Sequence, residues 1–171
     1  EGIRVIPYKG VVLADSLYGN VALRQSNDLD VLVPRADVMR VRILLGERGY
    51  EPWPDLAGRQ ERERLRSKGV LTLVRRDLKI ALEVHWNLHA RYFASLPRPE
   101  ELWLHAKPTR FQGHSVLAFD PEVLLVVLCI HGAKHCWARL KWICDVAELV
   151  RKYPELDWDR VWGGHHTQGT Y

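Results

Sequence analysis

Asp28 and Asp30 stand two residues apart in the stretch Ser26-Asn27-Asp28-Leu29-Asp30-Val31-Leu32-Val33, whose apolar members have the composition of a strand. Side chains two apart on a strand share a face, about 7 Å from one another. The two carboxylates therefore stand side by side, and like charges that close raise each other's pKa unless a cation lies between them. A third carboxylate, Glu83, falls in a second expected strand, Lys79 to His85, where Ile80, Leu82, Val84 and Trp86 alternate with Ala81, Glu83 and His85. If the two strands are neighbours, Asp28, Asp30 and Glu83 converge into an oxygen-rich anionic cluster. Such a donor set suits Mg²⁺ or Mn²⁺ completed by water and phosphate oxygens. Two ions about 4 Å apart in it would clamp the attacking and leaving oxygens of an in-line phosphoryl displacement. The same residues also suit the solvated sides of two unrelated strands, and spacing alone does not decide between these. Because it relieves carboxylate repulsion, Asp28→Asn or Asp30→Asn is expected to leave the fold intact or slightly stabilised.

Other groups of the right chemistry lie nearby in the sequence. His85 shares a strand face with Glu83, where it could orient that carboxylate, contact substrate or satisfy a neighbouring backbone group. Arg24 precedes Asp28 by four residues and could neutralise a phosphate or brace the aspartates. In the stretch HGAKHCWARLKWICD, His131 and His135 are four apart, the spacing of zinc-binding helices, but the glutamate that follows the first histidine in such helices is missing. Packing of the two rings in a helical core is the alternative. Lys134, Ala138, Lys141 and Asp145 form a stripe at helical spacing. Lys134 or Lys141 could meet phosphates if that stripe faces a cleft, and would otherwise be ordinary surface. Trp137 and Trp142 read as core residues.

The elements that must position these residues follow from periodicity. Arg4 to Tyr8 predicts a strand ending in Lys9-Gly10. Val11, Val12, Ala14, Leu17 and Tyr18 predict a short helix closed by Gly19-Asn20. Leu29 to Val33 is a second strand, Arg35 to Gly49 an amphipathic helix, and Tyr50 to Trp53 a further strand. Residues 57–69 are a charged helix or a long polar connection. Val70 to Val74 and Lys79 to His85 form a hairpin. The composition shifts near Pro97 and Pro99, and a short strand over His114 to Phe119 leads to Asp120-Pro121-Glu122, a helix start with Asp as cap and Pro in the first turn. From there to Tyr153 the pattern is helical, with a break near Cys136 to Ala138. The order predicts an α+β or α/β fold, α+β being preferred: a domain over 1–118, a helical segment over 119–162 packing on it, and a disordered tail over 163–171.

With 171 residues, of which 47% are apolar, the chain is long enough for one ordinary globular domain or a small one with a helical appendage. The longest apolar run, Val123 to Ile130, falls well short of the about 18 residues that a membrane-crossing helix needs, so a cytoplasmic location is expected. Cys129, Cys136 and Cys144 are odd in number and show no CxxC pairing, which argues for core or near-core thiols rather than disulfides or a thiolate zinc site. The net charge of +4 fits a polyanionic partner such as nucleotide phosphate, weakly. Residue 1 is Glu with a strand beginning almost at once, which reads as a chain cut from a larger protein.

The segments PYKGVVLADSLYG, LRQSNDLDVLVP, LEVHWNL and HGAKHCWARLKWICDVAELV occur in this order, and together they resemble the nucleotidyltransferase superfamily of DNA polymerase β. Within it, the chain resembles a bacterial family of uncharacterised nucleotidyltransferases over most of Val5 to Arg151. The resemblance implies a mixed sheet flanked by helices with a C-terminal helical segment. It implies Asp28 and Asp30 as metal-bridging aspartates and Glu83 as the third carboxylate, with two Mg²⁺ or Mn²⁺ ions. Gly10 matches the glycine where backbone N–H groups approach a phosphate. The superfamily usually has Gly-Ser there, whereas this chain has Gly10-Val11 preceded by Lys9, which leaves Lys9 to supply a charge to the triphosphate. Arg24, Lys134 and Lys141 complete the expected nucleotide-binding set. The implied reaction moves a nucleoside monophosphate from an NTP, with ATP the expected one, to a hydroxyl of a small molecule, a protein or an RNA end, releasing pyrophosphate. The alternative is a module that kept the fold and lost turnover, acting as a regulatory or toxin–antitoxin partner.

Overall fold

The structure is a computed structural model and describes residues 2–55, 63, 69–88 and 99–162. Most of the charged segment 57–69, the proline at position 97 and the tail 163–171 lie outside the described residues. Contacts divide the chain into two compact units. One holds the residues up to Leu88 together with Pro108–Ala118; the other holds those up to Lys107 that precede this insertion, and the chain from Phe119 onward.

The first unit is built on five strands, β1 (Ile6–Pro7), β2 (Asp28–Leu32), β3 (Glu51–Pro52), β4 (Val70–Arg75) and β5 (Ile80–His85), in the order β1-β2-β5-β4-β3. Only β2 and β5 run parallel; the other pairs are antiparallel. Residues opposite one another in register point to the same side. One side therefore carries Val31 of β2, Leu71 and Leu73 of β4, and Val84 of β5, continued by Val33 and Trp86. These side chains form the core with Val38 and Val41 of helix α2 (Val38–Gly46), which follows a 3₁₀ turn over Arg35–Asp37. The opposite side carries Asp28 and Asp30 beside Ala81 and Glu83, with Leu32 beside His85. The alternation expected of β5 is the one found, so apolar burial on one face decides what the other face presents.

Helix α1 opens at Val11–Leu13 and widens into a π-helical turn over Ala14–Tyr18. Val12, Leu13, Ala14 and Leu17 are buried. The apolar spacing predicts an ordinary helix here; the widened turn is not encoded by that spacing.

The second unit holds α3 (Pro99–Leu102), α4 (Pro121–Lys134), α5 (Leu140–Lys152) and α6 (Trp158–Val161). The strand expected at His114 proves to be one arm of a hairpin, β6 (Ala106–Phe111) with β7 (His114–Phe119), whose ends pass from one unit to the other. Asp120 caps α4 as expected, its carboxylate accepting from the Val123 N–H at 3.2 Å. It also accepts from the Arg160 guanidinium, which lies 2.6 Å from His105 Nδ1 and so fastens α6 to the start of α4. Cys129 and Cys144 are half-buried, as near-core thiols would be, whereas Cys136 is exposed, which corrects the reading for that cysteine.

The break between α4 and α5 falls where the pattern places it. Cys136 and Trp137 both adopt a left-handed φ of 52°, and the Trp137 N–H donates to the Gly132 carbonyl at 2.8 Å. This folds the indole onto Gly132, where an added Cβ would stand 2.3 Å from a ring carbon. Gly132→Ala is therefore expected to lower stability by about 1 kcal/mol, because displacing the ring outweighs the roughly 1 kcal/mol gained in helix propensity. A raised melting temperature, the result that propensity alone gives, would show that the ring moves aside freely.

Candidate active site

The parallel pairing of β2 with β5 is the step that makes a site. It sets Asp30 directly beside Glu83, one strand apart and on the same face, with His85 one side-chain step further along β5. His85 Nε2 lies 3.1 Å from Asp30 Oδ1 and 3.3 Å from Glu83 Oε2. The Tyr8 ring meets the His85 ring edge-on with centroids 5.7 Å apart. From the next position in the chain, Lys9 Nζ reaches Asp30 Oδ1 at 2.7 Å. Asp30 is 2% exposed and Lys9 7%.

Gly10 then turns the chain into α1 with φ 72° and ψ −143°, a conformation open essentially to glycine alone. A Cβ at this position would stand 2.8 Å from the carbonyl oxygen of Asp28, so the turn lies directly on β2. Arg24, also buried, donates from Nη1 to the Gly10 carbonyl at 3.3 Å. The arginine read as bracing the aspartates or meeting phosphate thus holds the glycine turn. Ser26 donates its hydroxyl to the Asp28 carbonyl at 2.7 Å and fixes the entry to β2.

The charges explain one another. Burial by itself would raise the Asp30 carboxyl, but the hydrogen bond from His85 and the positive charges of Lys9 and His85 outweigh it and hold the group at about 2. Burial lowers the His85 imidazole, yet its bonds to Asp30 and Glu83 win and leave it above its ordinary value. The Tyr8 phenol is pushed well above its usual range, first by burial and then by the negative charges of Asp30, Glu83 and Asp28. The fields of all three carboxylates therefore act on one phenol, and Tyr8 stays protonated.

The geometry bears on two expectations. The first concerns which groups meet. Among the described residues, the ligand atoms that lie within 4.8 Å of one another belong to Asp30, Glu83 and His85, and Asp28 is not among them. Asp28 shares their face but sits at the exposed start of β2, opposite Ala81. The second concerns repulsion. Asp30 is not destabilised by a neighbouring carboxylate; it is a paired anion, and the cation expected beside the aspartates is, for Asp30, the Lys9 ammonium. Asp30→Asn therefore removes a favourable pairing instead of relieving a strain.

The donor set fits a divalent ion. Two carboxylates and an imidazole are donors such an ion accepts, and their ligand atoms lie within 4.8 Å of one another. Two residues escaped sequence reasoning. The sequence offers His85 as a group that could orient Glu83, contact substrate or satisfy a backbone group, but not as a partner of Asp30, and it does not single out Tyr8. The signal for Tyr8 was its alternation with Ile6 on the strand leading into Lys9-Gly10. Lys134 and Lys141 belong to the helical unit, Lys134 exposed at the end of α4 and Lys141 half-buried in α5. His131 and His135 pack ring to ring at 4.8 Å, each 5.2 Å from Trp142, as an aromatic cluster. Among the described residues, they do not belong to any group of three potential metal ligands.

Comparison with known proteins bears on this geometry. Among curated proteins no sequence matches the chain. Of solved structures, the antibiotic-resistance factor ANT(2'')-Ia, determined in solution, is similar in fold, with a TM-score of 0.59 at 13% identity over 88% of this chain and 75% of that one. The family model described as "Uncharacterised nucleotidyltransferase" matches residues 1–169. Its match spans every strand of the mixed sheet and both sides of the Asp30 cluster, so the chain belongs to this nucleotidyltransferase family.

Proposed function

We propose that the protein transfers a nucleoside monophosphate from an NTP, ATP in the first instance, to an acceptor hydroxyl, with release of pyrophosphate. The observation that carries this reading is the meeting of Asp30, Glu83 and His85 beside the Gly10 turn, in a chain of a nucleotidyltransferase family. Asp30 and Glu83, with Asp28 on the same face, would hold Mg²⁺ or Mn²⁺, and two such ions when bound would neutralise the triphosphate and polarise the reacting phosphorus.

The remaining work belongs to the chain. Lys9 and His85 keep Asp30 ionised and fix its orientation. Gly10 permits the turn that would bring backbone N–H groups at the start of α1 to the phosphates, and Arg24 holds that turn in place. Glu83 is the carboxylate available to accept the proton of the attacking hydroxyl. Catalysis of this kind is positioning and charge neutralisation, with no covalent role for the protein. The acceptor is a small molecule, a protein side chain or an RNA end.

Titration calorimetry of the four NTPs, with and without Mg²⁺, tests the reading. We expect metal-dependent binding of ATP by the wild type and its loss in Asp28→Asn/Asp30→Asn, followed by transfer of label from α-labelled ATP. A protein that binds no nucleotide under any condition would refute the reading and favour the non-catalytic module instead.

A further inference from the structure

We propose that His85, on releasing to solvent the Nε2 proton it shares with Asp30 and Glu83, supplies a nitrogen ligand to the metal at this site, so that the site prefers Mn²⁺ to Mg²⁺. The inference rests on the nucleotidyl-transfer reading above and adds to it the identity of the ion.

Three observations carry it. The first is aim. His85 Nε2 is the atom that stands 3.1 Å from Asp30 Oδ1 and 3.3 Å from Glu83 Oε2, so the imidazole points into the space between the carboxylates and not past it. The second is constraint. The ring is packed edge-on against the buried Tyr8 ring and its side chain is 14% exposed, which leaves Nε2 little freedom to turn away. The third is charge. Lys9, at 2.7 Å from Asp30, cancels one of the two carboxylate charges within the cluster. Asp30, Glu83 and Lys9 together then carry one net negative charge. A hard ion that relies on anionic oxygen is weakly held by so little charge, and a nitrogen donor weighs correspondingly more.

Imidazole is a poor ligand for Mg²⁺, which demands oxygen and sheds water reluctantly, and a better one for the first-row transition ions. Replacing a third carboxylate by imidazole therefore moves preference toward Mn²⁺. Asp28, on the same face but outside the three groups whose ligand atoms meet, adds a carboxylate without displacing the nitrogen donor.

The test is metal binding to the isolated protein, read without any turnover. Mn²⁺ is titrated by electron paramagnetic resonance and Mg²⁺ by competition, for the wild type and for His85→Gln, which keeps an oxygen near the Nε2 position and removes the nitrogen. Pulsed resonance of the Mn²⁺-loaded wild type reports directly whether a nitrogen is coordinated. The expected result is a nitrogen modulation in the wild type, a preference for Mn²⁺ of about tenfold or more, and loss of both in His85→Gln with Mg²⁺ affinity little changed. Bound Mn²⁺ without nitrogen modulation in the wild type would overturn the inference even if the variant failed to fold, while leaving the nucleotidyl-transfer reading standing. A wild type that binds neither ion would overturn both.

Discussion

Asp30→Asn is expected to abolish nucleotidyl transfer and, measured in chelator at pH 7, to lower stability by about 3 kcal/mol. The loss of activity follows from removing a charge at the centre of the carboxylate cluster. The loss of stability follows from burial. Lys9 and Asp30 are both nearly inaccessible, and removing one member of a buried pair leaves the other charge without compensation, which costs about 3–5 kcal/mol. For a chain of this size about 3 kcal/mol lowers the melting temperature by roughly 6–12 °C.

The pH dependence provides the internal check. The folded carboxyl of Asp30 titrates at about 2 against an ordinary 3.8, so its contribution is fully present above the unfolded value and is lost as pH falls toward the folded one. That shift amounts to about 2 kcal/mol. The stability gap between wild type and Asp30→Asn should therefore narrow between about pH 4 and pH 2. A variant as stable as the wild type at neutral pH, or a gap that does not close in acid, would show that Lys9 and Asp30 are not the buried pair described.

The second large effect is expected at Gly10. Its backbone lies in a region closed to residues with a side chain, and the added methyl of Gly10→Ala would stand 2.8 Å from the Asp28 carbonyl. That oxygen belongs to the β2 backbone and cannot swing aside as a side-chain tip can. Strain of this kind costs about 1–3 kcal/mol from the dihedral alone, and the clash adds to it, so a total near 3 kcal/mol is expected. If the chain relieves the clash by moving the turn, Lys9 moves with it, and Asp30 loses its partner. Thermal denaturation of Gly10→Ala with Asp30→Asn, singly and together, separates the two. A double variant clearly less destabilised than the sum would show that both changes break the same unit.

Parts of this arrangement were legible in the residues and parts were not, for physical reasons. The alternation of Ile80, Leu82, Val84 and Trp86 with Glu83 and His85 identified the two faces of β5, because a strand buried on one side must alternate. Asp120-Pro121 marked the start of α4, because cap and first-turn chemistry are local. The pair Asp30 and Glu83 could be named as candidates, but their juxtaposition depends on which strands are neighbours and in what register, and neither is a local property. The same limit explains Asp28. On its own strand it is equivalent to Asp30; only the partner strand separates them, setting Ala81 opposite one and Glu83 opposite the other. Lys9 read as a residue for substrate because its partner lies across a strand pair. The hairpin arm Ala106–Phe111 escaped because its alternation is weak: four of its six residues are exposed.

The β2–β5 pairing also bears on how the protein folds. His85 and Asp30 are separated by 55 residues, and between β2 and β5 the chain must form α2, β3 and β4. Closing so long a loop costs entropy that no local contact returns, and parallel pairings of this kind are slow. The hairpin of β4 and β5 is local and can form early; the docking of β5 against β2 comes late. The carboxylate cluster then assembles only when that long-range pairing forms, and a nascent chain cannot gather Asp30, Glu83 and His85 until β5 has docked on β2.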